Sequence, residues 1–184
     1  MPTTCRDIIT LGLQLARIVP LGREPKAKES TTGLVILQGM YDSMFADGQF
    51  SKLTDVYATA NYTAKENERI IADNATITIP DTTDVDGPRT PRDLSAIVVI
   101  TNLTELHYVF SGGRWETAHA LTLDSVAPLA SRGSDGLAAL LAIYYAEAFG
   151  GALGPMWTRR GHQFRGSLSY KIGSTRDVVA GESF

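Results

Sequence analysis

TCRDIITLGLQLARIVPLGREPKAKESTTGLVILQGMYDSMFADGQF, residues 4–50, decides how the rest of the chain is read. Thr4 followed by Asp7 is a helix start: the hydroxyl can accept a backbone N–H while the acid sits in the positive first turn. Ile8, Leu11, Leu15 and Ile18 then recur at spacings of three and four, which places them on one stripe of a 3.6-residue period. Pro20, Gly22 and Pro25 break that stripe among polar Glu24, Lys26, Lys28 and Glu29, so the chain turns in water. A second stripe, Leu34, Leu37, Met40, Tyr41, Met44 and Phe45, stops at Asp47-Gly48, where glycine suits a left-handed cap. Two amphipathic helices joined this closely are expected to form a hairpin. Neither is stable alone at this length, so a third apolar partner must come from elsewhere in the chain.

With 184 residues and 43% hydrophobic content, the chain is long enough for one domain with a sizeable core. A net charge of −3 argues against a protein whose main task is wrapping nucleic acid. The charge is uneven. After Gly151, Arg159, Arg160, Arg165, Lys171 and Arg176 face only Asp177 and Glu182, an excess of +3 beside an acidic remainder. The single Cys5 excludes an intrachain disulfide and reads as an ordinary half-buried cysteine. The first residues lack the layout of a secretory signal, and no apolar run approaches the ~20 residues that span a bilayer. The expected location is therefore the cytoplasm, or a particle assembled there.

Beyond Phe50 the period changes from helical to alternating. Val56, Ala58, Ala60 and Tyr62 alternate with Asp55, Tyr57, Thr59 and Asn61, as a half-buried strand does. Ile77 and Ile79 mark a second strand that Pro80 ends, and Arg69-Ile70-Ile71 is expected to pair only briefly. Ile97-Val98-Val99-Ile100 reads as a strand covered on both faces. Ser111-Gly112-Gly113 joins two further arms as a hairpin turn, and Trp115 in the second arm is expected to pack into the sheet. Ser134-Asp135 then caps an alanine-rich helix containing Leu137, Leu140, Leu141 and Tyr144, the natural third partner of the opening pair. Pro155 begins a last helix, on which Met156, Trp157, Arg160, Phe164 and Leu168 share a face and Gly161 and Gly166 weaken the pattern.

The expected fold is α+β: mainly an α-helical bundle with an inserted small antiparallel β-sheet and an extended C-terminal arm. Helices are placed at about residues 4–19, 30–47, 135–149 and 155–169, and the strand-rich insert at about 54–120, within one domain over residues 1–171. Residues 172–184 have no period and read as an arm that gains order from a partner.

No catalytic constellation stands out. His107, His119 and His162 fall in different elements, no metal-ligand spacing is present, and neither a G-x-S-x-G elbow nor a phosphate-binding glycine pattern occurs. Asp84 and Asp86 lack the further ligands of a calcium loop. The expectation is therefore no enzyme, no cofactor and no metal. A helix-turn-helix reading of the opening pair meets Asp42 and Asp47 on the second helix, and those acids repel phosphate.

The order of these parts resembles the tailed-bacteriophage head-to-tail adaptors, the head-completion and packaged-DNA-stabilisation connectors. The likeness lies in Asp7-Ile8-Ile9 to Leu15-Ala16-Arg17-Ile18, in Leu37-x-x-Met40-Tyr41-Asp42-x-Met44-Phe45-x-Asp47-Gly48, and in Ser134-Asp135-Gly136-Leu137-Ala138-Ala139-Leu140-Leu141-Ala142. It implies a structural virion protein at the head-tail junction that forms a homo-oligomeric ring, generally of twelve copies. Such a ring binds the portal protein, extends the DNA channel without sequence-specific binding, helps retain packaged DNA and meets a stopper or tail/neck protein, with no membrane involved. Carried onto this chain, the portal-binding segment holds Arg159, Arg160, Arg165, Lys171, Ile172, Arg176 and Phe184. A DNA-binding accessory module and, after it, a hydrolase or nuclease with dispersed site residues are the alternatives.

Overall fold

A computed structural model describes residues 3–80, 91–102 and 104–169. The chain enters helix α1 (Cys5–Leu15) through the capping box read from its sequence. The Asp7 N–H donates to the Thr4 hydroxyl at 3.3 Å, and the Asp7 carboxylate accepts from the Thr4 N–H at 2.9 Å. These bonds to Thr4 hold the Asp7 carboxyl below its ordinary range. α1 ends earlier than its apolar stripe does, because Arg17 takes a left-handed φ of 58° and reverses the chain. Helix α2 (Ala27–Ala46) begins earlier than expected, since Glu29 accepts the Lys26 N–H at 2.7 Å and closes the first turn. Asp47 and Gly48 end it, with Gly48 at φ 64°.

Helix α3 (Ser134–Phe149) is the centre of the helical layer. Gly136 to Ala142 are all buried, so this helix is apolar on every side and contacts α1, α2 and the last helix together. Its N-cap is Gly133, without a side-chain bond, instead of the expected Ser134-Asp135. Helix α4 (Pro155–Ser169) lies on α3 at close range. A Cβ on Gly161 would stand 2.9 Å from the Ala139 carbonyl oxygen, and one on Gly136 would stand 2.8 Å from the Phe164 ring. Gly161, one of the two glycines expected to weaken α4, is thus the one that lets two backbones approach, whereas Gly166 faces open space.

The sheet corrects the expected fold. Among the described residues there are seven strands: β1 (Thr54–Ala58), β2 (Tyr62–Thr63), β3 (Glu68–Ala72), β4 (Ile77–Thr78), β5 (Ala96–Ile100), β6 (Glu105–Ser111) and β7 (Arg114–Thr117). They form a five-stranded sheet in the order β1-β3-β5-β6-β7 and a two-stranded sheet of β2 and β4. β1, β3 and β5 pair in parallel, as do β2 and β4, and only β5-β6 and β6-β7 are antiparallel. The molecule is therefore neither a mainly helical bundle nor a carrier of a small antiparallel insert; four helices stand beside a mixed sheet. From β1 to β5 the chain alternates between the sheets and winds as a coil, each turn adding one strand to each. Parallel neighbours need a crossover, and between β1 and β3 the two-residue strand β2 supplies what a helix usually does. The stretch read as one strand over 54–62 breaks at Thr59 to Asn61, and Arg69-Ile70-Ile71, expected to pair only briefly, lies within the full inner strand β3.

The large sheet divides two apolar clusters. One joins α1, α2, α3 and α4 to Leu94, Ala96 and Val109; the other fills the coil with Ala58, Ala64, Ile70, Ile97 and Val99. β5, buried from Ala96 through Val99, faces both, as its unbroken apolar run requires. The hairpin turn expected at Gly112-Gly113 has both residues at positive φ, 61° and 82°. Trp115 meets Phe110 edge-on, with ring centroids 5.4 Å apart, and packs against the coil cluster. Among the described residues no helix is long and apolar enough to cross a membrane.

Candidate docking surface

Pro155 starts α4 at the position where its missing N–H is unneeded. Gly161, Phe164 and Leu168 are buried against α3, and the polar residues between them turn outward. Met156, expected to share a face with Phe164 and Leu168, is 66% exposed whereas those two are buried. The arginines of this helix differ in their surroundings. Arg160 donates to Asp135 of α3 at 2.7 Å, and Arg165 donates to Asp47 after α2 at 3.5 Å. Both pairs are about half exposed, a setting in which ion pairs contribute ~0–1 kcal/mol; Arg165 is held in addition by the Gln49 side chain, so the Arg160 pair is the one that yields easily to a competing carboxylate. Arg159 is exposed and makes no ion pair among the described residues. The remaining residues assigned to docking, Lys171, Ile172, Arg176 and Phe184, lie outside the described residues, as do Asp84 and Asp86.

The structure brings together a second group that the sequence leaves scattered. His107 of β6 is almost fully buried and stacks on Phe45 of α2 with ring centroids 4.5 Å apart. Its Nε2 lies 3.0 Å from Glu105 and its Nδ1 3.5 Å from Asp42, too poorly aligned with the latter to form a hydrogen bond. These residues line a cleft of about 460 Å³ that also includes Arg69, Leu53 and Val98. The contacts of the imidazole to Phe45 of α2 and Glu105 of β6 tie the sheet to that helix. The backbone N–H of His107 donates to Nδ1 of His119 at 3.0 Å, whereas His162 is exposed on α4. Two histidines expected apart are thus neighbours. The only sequence signal was Glu105 and His107 two apart on a strand and Asp42 and Phe45 three apart on a helix, and neither spacing says that the pairs meet.

Cys5 is fully buried rather than half-buried, and burial pushes its thiol up to about 12, so it stays protonated and unreactive. Among the described residues no group of three acidic, histidine or cysteine side chains is placed to hold a metal ion. No protein-family model matches the chain, and comparison with curated proteins finds no match.

Proposed function

We propose that the protein is a structural connector: a subunit of a ring at the head-tail junction of a tailed bacteriophage that binds the portal, extends the DNA channel and meets the next neck or tail component. The observation that carries this reading is α4. It is held on α3 through Gly161 and Gly136, presents Arg159 and the loosely paired Arg160 outward beside the more firmly held Arg165, and leads directly into the segment that holds Lys171 and Arg176. A rigid helix with displaceable arginines fits a joint to a carboxylate-bearing partner, because the planar guanidinium forms forked bonds to carboxylates. DNA is a less suitable partner for this face, since Asp135 and Asp47 stand beside the same arginines and repel phosphate.

The test is capture of the purified portal by the full chain and by a chain lacking residues 172–184. The shortened protein should keep its melting temperature and lose portal binding, and Arg159→Glu should weaken binding with no change in fold. A shortened chain that binds portal as well as the full one would remove the reading.

A further inference from the structure

The coil of strands ends in an open rung. β1 is the outer strand of a parallel pair, and parallel sheets normally have their faces covered. Asp55 and Tyr57 nevertheless stand on an exposed face, Tyr57 at 75% exposure. The bonds from Thr54 N–H to Asn67 and from Asp73 N–H to the Ala58 carbonyl show which residues of β1 face β3. By alternation, Asp55 and Tyr57 turn their N–H and C=O groups outward. At the far edge, β7 pairs with β6 through Arg114, Glu116 and, just beyond, Ala118, so Trp115 and Thr117 point their backbone groups outward. Among the described residues neither edge has a strand partner. Neither β1 nor β7 contains a Lys or a Pro; both are short, and β7 carries Arg114 and the buried Glu116, features that oppose indiscriminate edge pairing and favour a matched partner.

The two edges complement each other. β7 is antiparallel to β6, which is antiparallel to β5, so β7 runs in the same sense as β1. A rotation about an axis along the strands therefore carries one edge onto the other as a parallel pair. On the helix side of the sheet that pairing places exposed Asp55 near Arg114, whose side chain is 53% exposed and also donates to Glu116 at 3.3 Å, leaving part of its fork for a second carboxylate. On the coil side it places Val56 near Trp115.

We propose that β7 of one copy pairs with β1 of the next, so that copies join head to tail in one continuous sheet. The two surfaces differ, as a joint that closes into a ring requires. The proposal rests on the ring reading for its closure and names the surface that the reading leaves open.

The test is the assembly state of the full chain, followed by light scattering and sedimentation over a concentration series without portal. Wild type should self-associate. Asp55→Arg and Arg114→Asp should each weaken association about tenfold, and the two together should restore it, as expected for a charge pair at a joint. Tyr57→Pro and Thr117→Pro remove outward N–H groups only, so each should keep its circular dichroism and melting temperature yet fail to assemble. An equal mixture of the two proline variants has one intact edge of each kind and should stop at a dimer. Wild type that stays monomeric throughout, or oligomers indifferent to these changes, would overturn the edge joint. Oligomers indifferent to them that still capture portal would leave the connector reading in place; edge-dependent assembly without portal capture would do the reverse.

Discussion

Gly33 of α2 leaves no space for a side chain. A Cβ there would stand 2.7 Å from Ile9 of α1 and 2.8 Å from the Tyr145 hydroxyl, which itself donates to the Gly33 carbonyl at 2.9 Å. Gly33→Ala should therefore destabilise the protein by about 1–3 kcal/mol in urea titration, the usual cost of overpacking. Glu116 of β7 shows a different kind of constraint. It is buried, accepts the N–H of Leu129 at 2.9 Å and stands 3.3 Å from Arg114, and burial pushes its carboxyl above the ordinary range in spite of those bonds. The folded state then holds this proton more tightly than the unfolded state does. Its contribution to stability is complete below the unfolded value near 4.5 and is lost as pH rises through the folded value. Urea midpoints measured from pH 4 upward should fall over that window in wild type, and Glu116→Gln should flatten the fall while keeping the bond to Leu129. Neither Gly33 nor Glu116 announces itself in the sequence, because each matters through a neighbour more than ten residues away.

Among the elements, α3 bears most of the helical layer. Leu140 is 2% exposed, and Leu140→Asp would place an unpaired charge among apolar neighbours. The expected result is loss of the cooperative thermal transition and of near-ultraviolet dichroism; a variant that melts like wild type would show that this face of α3 tolerates water. Tyr144 falls among the apolar residues that the sequence marks on this helix, but Tyr145 is the fully buried one, bonded to Gly33 and close to Gly12. Where every side of a helix is apolar, its period no longer says which side meets which partner. In α4 the same limit appears in reverse: Gly161 reads as a weakness by propensity and is a contact point by packing.

At the scale of the molecule, the sheet joins the two apolar clusters, so both should unfold together. Ile70→Ala in the coil and Leu137→Ala in the helical layer should each cost about 2–5 kcal/mol, and each should shift one shared transition. Far-ultraviolet and near-ultraviolet signals that separate in Ile70→Ala would show that the coil unfolds by itself. The sequence by itself determined where the helices lie to within a few residues and where the hairpin at 112–113 turns, because capping at Thr4, the 3.6-residue stripes and the paired glycines act through near neighbours. Only the tertiary structure decided that the strands coil in parallel, that His107 meets Asp42 and that Arg160 and Arg165 lie against acids of other elements. Strand alternation has the same period of two whichever way the neighbour runs, so direction, register and cross-element partners are set by long-range packing alone.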